Sequence, residues 1–279
     1  MSEPRVILSG LAYVESPRWH DGRLWFAHWG TDEIIAVDLD GTSKVVAHGA
    51  GGMGWSIDWL PDGRLLVTGE GLSRFEPDGS LVAHADLSDL AGDWNELVVD
   101  GRGNVYVNGR LFGPAEDDPP GIIALVTPDG RARQVGDGLA FPNGMAVTPD
   151  NRTLIVAESY AEGLTAYDIA DDGTLSGRRV WAATPGDHPD GICLDADGAV
   201  WYADVGNGHC VRVREGGEVL ETVTVDRGAF ACMLGGPDGE TLFILAAEWR
   251  GFEQVDEAIA DRTGQVLIAD APAPHAGSP

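Results

Sequence analysis

Lysine is almost absent from this chain. Of its 279 residues only Lys44 is a lysine, and 18 basic residues stand against 45 acidic ones, which gives a formal net charge of −27. Nucleic acids and anionic membranes are bound through basic patches, so we predict neither as a partner. The acidic excess is accounted for by solubility and is not taken as a sign of function.

Long hydrophobic runs are also missing, since no segment approaches the roughly 18–20 apolar residues of a membrane helix. The start of the chain lacks the charged region and long apolar core of a signal peptide, so we expect a soluble, cytoplasmic protein. Cysteine is rare, with three residues and no metal-site spacing. Cys193 and Cys232 lie in apolar, strand-like runs, so we assign the cysteines no chemistry.

Glycine and proline are plentiful, with 39 and 16 residues, and they mark many turns. Self-similarity along the chain defines six units. Each has a short apolar strand, a tight turn and a second strand, and in most units a third strand follows a longer link. The residues that close the first turn of each unit fall 40 to 48 residues apart. They are Gly22, Gly63, Gly103, Asn151, Gly198 and Gly239.

A period of about 40–50 residues with four short strands per unit is typical of a propeller blade. We therefore predict an all-β fold, a six-bladed β-propeller that forms a single domain over residues 1–279. No amphipathic run of helical length separates the units, which argues against a parallel α/β sheet; residues 253–261 are the nearest candidate and are placed in a loop. Residues 5–9 and 265–269 are expected to join one terminal blade and close the ring.

The first strand of each blade lines the channel of a propeller, so residues at one repeat position form a ring around its axis. We take the position eight residues before the turn-closing residue, or seven in the shorter first unit. In order, its occupants are Glu15, Trp55, Asn95, Asn143, Asp190 and Ala231. Four of them carry a side-chain oxygen. Any one alone could simply cap a turn.

Two carboxylates and two amides that converge on a narrow channel would repel one another and lack solvation without a counter-ion. We therefore predict one divalent cation held by Glu15, Asn143, Asp190 and Asn95. All-oxygen ligation favours a hard ion, so calcium is the first assignment, with magnesium, manganese and zinc as alternatives. Four protein ligands leave positions open for water and substrate.

Four motifs surround these positions: Glu15-Ser16-Pro17-Arg18-Trp19, Asn95-Glu96 with Val99-Asp100 and Gly103, Phe141-Pro142-Asn143-Gly144, and Pro189-Asp190-Gly191. Through them the sequence resembles the regucalcin (senescence marker protein)/gluconolactonase/luciferin-regenerating-enzyme-like family of six-bladed propellers over nearly its whole length. The resemblance implies that Glu15, Asn143 and Asp190 bind the metal. It also implies that Asn95 ligates or contacts metal-site water or substrate, and that Asp190 acts as general base or nucleophile.

Two departures from the family pattern concern the substrate. The family has Asn-Asp where this chain has Asn95-Glu96, and sugar-lactonase members carry an arginine at the position of Asp93. A sugar lactone is therefore not predicted as the substrate. Arg110, which follows the second strand of the same unit, is a candidate for the missing positive charge.

The ends of the second strands are expected around the channel mouth, at His28, Trp29, Glu70, Asn108, Glu158, Asp204 and Glu248. We assign substrate binding to Asn95, Glu96, Trp29, Trp55, Trp94, Arg110 and His28. The tryptophans could equally pack between blades. His28 and His188 are candidate proton shuttles or ordinary loop histidines. Residues 112–121 form a candidate lid or a plain solvated loop.

These residues predict a divalent-metal-dependent hydrolase of lactones or related esters, acting on a small molecule. The cation would polarise the carbonyl, and Asp190 would deprotonate the attacking water or attack directly. Organophosphate hydrolysis is a neighbouring alternative. Two further hypotheses stay open: a non-catalytic propeller that binds calcium or a small ligand, and a propeller recruited for a non-hydrolytic biosynthetic reaction.

Overall fold

The computed structural model describes residues 3–49, 51, 53–110 and 120–278. Within them, 24 strands form six four-stranded antiparallel sheets, each of which is one blade of a β-propeller. The innermost strand of every blade contacts the innermost strands of both neighbouring blades, so these six strands surround a central channel. The prediction of an all-β, six-bladed propeller is confirmed.

The blades follow one another along the chain. Blade 1 contains β2 (Val14–His20), β3 (Arg23–His28), β4 (Glu33–Val37) and β5 (Ser43–His48). Blade 2 contains β6 (Ile57–Trp59), β7 (Leu65–Thr68), β8 (Leu72–Phe75) and β9 (Leu81–Ala85). Blade 3 contains β10 (Asp93–Val99), β11 (Val105–Arg110), β12 (Gly121–Val126) and β13 (Ala132–Leu139).

The second half of the ring repeats this order. Blade 4 contains β14 (Pro142–Val147), β15 (Thr153–Glu158), β16 (Gly163–Ile169) and β17 (Leu175–Ala183). Blade 5 contains β18 (Pro189–Leu194), β19 (Val200–Asp204), β20 (His209–Val213) and β21 (Val219–Thr224). Blade 6 contains β22 (Gly228–Gly235), β23 (Thr241–Ala247), β24 (Gly264–Asp270) and, from the start of the chain, β1 (Arg5–Leu11).

The turn between the first two strands of each blade has the geometry that its residues predict. All six turn-closing residues have positive φ angles, between 56° and 84°. Five are glycines, and Asn151, at φ 56°, is of a type that tolerates the left-handed region. Its side chain also accepts the Gly101 backbone N–H at 2.6 Å, which ties the blade 4 turn to blade 3. The sequence repeat is therefore a repeat of turn geometry.

Strands from opposite ends of the chain complete blade 6. β1 pairs antiparallel with β24, with Arg5 opposite Ile268 and Leu11 opposite Gly264. β24 in turn pairs with β23. The predicted closure of the ring within one blade is confirmed, because the last blade takes its outermost strand from the start of the chain.

The end of the described chain adds a connection that the sequence did not reveal. Residues 271–278, which we name the C-terminal strap, leave β24 and run across the turn ends of blades 6, 5 and 4. Their backbone N–H groups donate hydrogen bonds of 3.0 to 3.1 Å to the carbonyls of Gly239, Leu194 and Val147, one in each blade. The strap therefore joins three blades at the base of the ring.

Hydrophobic side chains fill the spaces between blades. The cluster shared by blades 5, 6 and 1 includes the buried rings of Trp201 and Phe243. Cys193 and Cys232 are free and buried in the same cluster, as their apolar strand-like runs predict, and so is Cys210.

Helices are short and lie in the connections. The α-helix Val255–Asp261 follows a 3-10 turn at Phe252–Gln254, between β23 and β24, where the sequence placed a loop. Two more 3-10 turns, Trp29–Thr31 and Ser159–Ala161, follow β3 and β15. In the part of the chain that the structure describes, no helix has the length and apolar character to cross a membrane.

Removing β1 should destabilise the ring. Without residues 1–11 the edge of β24 is unpaired, so we expect a lower melting temperature and association through the exposed edge. Thermal unfolding and light scattering measure the two effects. A protein lacking only residues 1–3 is the control, and equal melting temperatures for the two truncated proteins would contradict this role of β1.

Candidate metal centre and channel mouth

The predicted ligands lie at breaks in the pairing of four innermost strands. The register shifts fall between Glu15 and Arg18, Trp94 and Leu97, Pro142 and Met145, and Pro189 and Ile192. Glu15 stands at the edge of the first break, and Asn95, Asn143 and Asp190 stand inside the other three. A β-bulge bends its strand and re-aims a side chain. The four residues thus share an equivalent place at bulges of the innermost strands, from which we expect their side chains to turn toward the channel.

Blades 2 and 6 have an apolar residue at the equivalent position. Trp55, assigned above to substrate binding, is fully buried in the core between blades 1 and 2. Its backbone carbonyl accepts the Trp29 Nε1–H at 2.7 Å. In blade 6 the pairing also shifts, between Ala229 and Ala231, but Ala231 carries only a methyl group. We therefore assign neither Trp55 nor Ala231 a part in binding.

In blades 4 and 5 the predicted ligand is followed by a glycine, which the close packing between blades requires. A Cβ atom on Gly144 would lie 2.6 Å from the carbonyl oxygen of Asp190 and from the nitrogen of Ile192. One on Gly191 would lie 2.5 Å from the Cβ of Ala231. The innermost strands of blades 4, 5 and 6 leave no room there for a side chain, which explains the Asn-Gly and Asp-Gly pairs of the sequence.

Polar side chains at the ends of second strands hold the ligand strand of the next blade. Three such hydrogen bonds, each from a side chain to a backbone carbonyl at 2.6 to 2.8 Å, join Thr68 to Asn95, Asn108 to Asn143, and Ser159 to Pro189. Asn108 is fully buried and also accepts the Glu96 backbone N–H at 3.2 Å. These bonds, which the sequence did not reveal, fix the ligand bulges relative to one another.

The carboxyl groups in the channel perturb one another. Loss of hydration, followed by the charges of Asp190 and Glu96, raises the pKa of Glu15 well above its usual range. Loss of hydration, followed by Glu96 and Asp204, does the same to the pKa of Asp190. Burial raises the pKa of Glu96 to about 7, against the opposing charge of Arg18. The structure therefore brings Glu15, Glu96 and Asp190 into one electrostatic group.

This donor set fits a hard divalent cation. Glu15 and Glu96 are buried, and the positive charge of Arg18 acts on both. The side chain of Asn143 lowers the pKa of Asp190, so an amide lies close to this carboxyl group. Carboxylate and amide oxygens are the ligands of calcium and magnesium. The residues that would hold the ion are Glu15, Asn95, Asn143 and Asp190.

An aromatic pair lies beside an ion pair at the mouth between blades 3 and 4. The rings of Phe141 and Tyr160 stack with centroids 4.5 Å apart, and the Arg110 guanidinium lies 5.8 Å from the Phe141 centroid. Arg110 faces Asp93 across the β10–β11 pair, with their charged groups 3.5 Å apart. Phe141 has a φ of 56°, a strained value for a bulky residue. The facing strand thus supplies a positive charge beside position 93.

His28 and Trp94, two other residues assigned above to substrate binding, are buried. His28 is buried; its Nε2 accepts the Ala12 N–H at 2.8 Å, and its Nδ1 lies 2.7 Å from the Thr31 hydroxyl. Trp94 is buried in the core between blades 2 and 3. Both nitrogens of His28 are therefore engaged, and neither residue enters the chemistry proposed below.

His188 is exposed, and its Nδ1 lies 2.9 Å from the Ser159 carbonyl oxygen. Trp29 is partly buried against the cores on both sides of blade 1. The candidate lid cannot be placed, since residues 112–119 lie outside the described residues.

A polar cluster at the mouth end of blade 5 was not predicted. Asp187, Asp204 and His209 bring their side-chain ligand atoms within 4.8 Å of one another. The carboxylates already accept hydrogen bonds, Asp187 from the Tyr202 hydroxyl at 2.6 Å and Asp204 from the His188 backbone N–H at 2.9 Å. Asp204 faces Pro189 across the β18–β19 pair, so the cluster supports the strand that carries Asp190.

The relationship to known proteins follows from a match over most of the chain. Residues 13–248 match the family described as the SMP-30/gluconolactonase/LRE-like region. This stretch contains all four predicted ligand positions. The chain belongs to this family. The resemblance inferred from the four motifs is confirmed.

Curated proteins similar to this chain include diisopropyl-fluorophosphatase of Loligo vulgaris, 29% identical over 202 residues, which are 63% of this chain and 64% of that protein. Another is 6-deoxy-6-sulfogluconolactonase of Pseudomonas putida, 28% identical over 158 residues, which are 55% of this chain and 54% of that protein. The matched part thus spans less than two thirds of these relatives. A solved luciferin-regenerating enzyme shares the fold, with a TM-score of 0.81 and 17% identity over 98% of this chain and 97% of that one.

Substitution of Gly144 by alanine tests the close approach of the innermost strands. The added methyl group would meet the backbone of blade 5, so we expect a loss of about 1–3 kcal/mol in the free energy of unfolding, as for overpacked cores. Gly71→Ala is the control, because no heavy atom lies within 4 Å of a Cβ built there. Denaturant unfolding measures both, and equal losses would contradict the packing argument.

The metal-free protein should lose stability as the pH rises from about 5 to 8. Carboxyl groups with raised folded-state pKa values, including Glu96 at about 7, favour the folded state below their unfolded pKa. That contribution is lost as each carboxyl group ionises in the channel. The free energy of unfolding then falls by up to about 1.4 kcal/mol per pH unit for each group. Urea unfolding in the presence of a chelator measures the slope, which Glu96→Gln should flatten. A free energy of unfolding that rises between pH 5 and 8 would contradict the raised pKa values of these carboxyl groups.

Proposed function

We propose that the protein is a divalent-metal-dependent hydrolase of lactones or related esters. The observation that supports the proposal is the set of bulges in four innermost strands at which Glu15, Asn95, Asn143 and Asp190 stand. Membership of the family supports a lactone hydrolase. The names of the two curated relatives, a fluorophosphatase and a sulfogluconolactonase, support hydrolysis as the reaction class.

Each ligand has a distinct part in this proposal. When bound, the cation would act as a Lewis acid on the substrate carbonyl and stabilise the developing oxyanion. Glu15, Asn95 and Asn143 hold that ion, and calcium is the first assignment because all the donors are oxygens. Asp190 accepts the proton of the attacking water as the general base.

Direct attack by the Asp190 carboxylate on the carbonyl carbon is the other course open to this residue. It would form a mixed anhydride, and attack of water on the Asp190 carboxyl carbon of this anhydride would leave one solvent oxygen in the side chain. A single turnover in H₂¹⁸O, followed by peptide mass spectrometry, tests this course: label in Asp190 would identify it as the nucleophile.

The mouth favours a substrate less polar than a sugar lactone. Tyr160 exposes 53% of its surface beside Phe141, and an incoming planar group could stack on this pair. Arg110 is paired with Asp93 and would meet a carbonyl or phosphoryl oxygen rather than a bare anion. Aryl lactones and aryl esters therefore belong in the substrate panel beside sugar lactones and organophosphates.

Asp190→Asn should lower kcat/KM by about 10²–10⁴, the usual contribution of a general base, and should leave the fold intact. Activity on the panel is measured after removal of metal and after return of calcium, magnesium, manganese or zinc. Asp168→Asn is the matched control, because this exposed carboxylate is paired with Arg179 on the third strand of blade 4. Full activity of Asp190→Asn, or activity unaffected by metal removal, would overturn the proposal.

A further inference from the structure

We propose that Arg18 is a resident counter-ion of the channel, which keeps the metal-free protein folded and weakens its binding of divalent cations. This inference rests on the proposed metal centre, since it concerns how the same channel is neutralised. No step of the proposed reaction uses Arg18, yet it is one of the most deeply buried charged residues of the chain, with 6% of its surface exposed.

The side chain of Arg18 crosses the channel wall from blade 1 to blade 3. It leaves β2, passes Asp58 of β6 with its Nε 3.8 Å from the carboxylate, and ends with Nη2 3.8 Å from the Glu96 carboxylate on β10. Three blades therefore meet at one guanidinium.

The anchors of this guanidinium are backbone carbonyls. Nη1 donates to Pro17 O at 2.9 Å, and Nη2 donates to Leu97 O at 2.8 Å. Nε is buried without a hydrogen-bond partner among the described residues. Because neither carboxylate is within hydrogen-bonding distance, Arg18 stays in place whichever of them is ionised, and it acts on them as a fixed charge.

Arg18 shares an internal cavity with Glu15, one of the proposed ligands. Glu15, Arg18 and Glu96 line this small space together with Met145 of blade 4 and Cys232 of blade 6. Its wall comes from the innermost strands of five of the six blades, which places the guanidinium on the channel rather than in a space between two blades.

The charges explain why a fixed cation is needed. Glu15, Asp58, Glu96 and Asp190 place four carboxyl groups in and beside the channel, with one guanidinium among them. Without metal, Arg18 offsets part of their mutual repulsion. When a divalent ion enters, Arg18 repels it and holds Glu96 toward blade 1. Removing the guanidinium should therefore tighten metal binding and make folding depend on the metal.

The test compares Arg18→Met with Arg18→Lys and with Arg212→Met. Arg212 is equally buried, at 7% exposure, but it pairs with Asp195 at 2.6 Å and Asp197 at 2.8 Å at the other end of blade 5. Isothermal titration calorimetry measures the affinity for calcium and for manganese. Thermal unfolding, with chelator and with saturating calcium, measures the dependence of stability on the ion.

For Arg18→Met we expect binding tighter by at least about tenfold and a melting temperature that falls in chelator but recovers with calcium. Arg18→Lys keeps the charge and should resemble the native protein. Arg212→Met should lose stability in both conditions without a change in affinity. If Arg18→Met folds only when refolded with calcium, the proposal is supported in its strongest form.

Unchanged or weaker binding by Arg18→Met would overturn the proposal, and so would a loss of stability that calcium does not restore. Failure of Arg18→Met to fold even with calcium, while Arg212→Met folds, would also overturn the proposal, because the calcium ion should replace the lost positive charge. Absence of calcium and manganese binding to the native protein is a separate outcome. It would refute the metal centre itself, and this inference with it.

Discussion

Confinement of like charges in a narrow channel is the constraint on which the centre of this protein depends. Six innermost strands leave a space too small for free hydration, and carboxyl groups from blades 1, 2, 3 and 5 lie in or beside it. Their mutual repulsion is tolerable only with positive charge among them. Arg18 supplies one such charge permanently, and the donor set left over suits a divalent ion, so stability and function compete for the same carboxylates.

The ring places those carboxylates by repetition of a few local devices. The predicted ligand stands at a bulge of the innermost strand, and in blades 4 and 5 a glycine beside it lets the neighbouring strand approach. A polar side chain at the end of a second strand then holds the innermost strand of the next blade, as Asn108 does for Asn143. The innermost strands are thus positioned by hydrogen bonds from side chains to backbone carbonyls that cross between blades, in a part of the fold less mobile than the loops above it.

The ring as a whole is stabilised where the chain begins and ends. β1 covers the edge of β24, and the C-terminal strap binds the bases of three blades. These connections do not involve the channel mouth. Substitutions there can therefore leave the ring unchanged, at the aromatic pair of Phe141 and Tyr160 as well as at the Arg110–Asp93 pair. This separation accords with a family that shares a fold and whose members have different activities in their names.

The sequence by itself determined the number of blades and the closure of the ring, and it predicted the four positions that lie at the strand bulges. Both kinds of inference use local signals. Turn residues such as Asn151 repeat once per blade, and the distance along the chain from each turn identifies equivalent positions in the innermost strands. Only the tertiary structure showed that Trp55 and His28 are buried, that Arg18 reaches from β2 to Glu96, and that Arg110 stands beside Asp93. Such contacts join residues of different strands or blades, and no local pattern encodes which side chains meet when six sheets close around one axis.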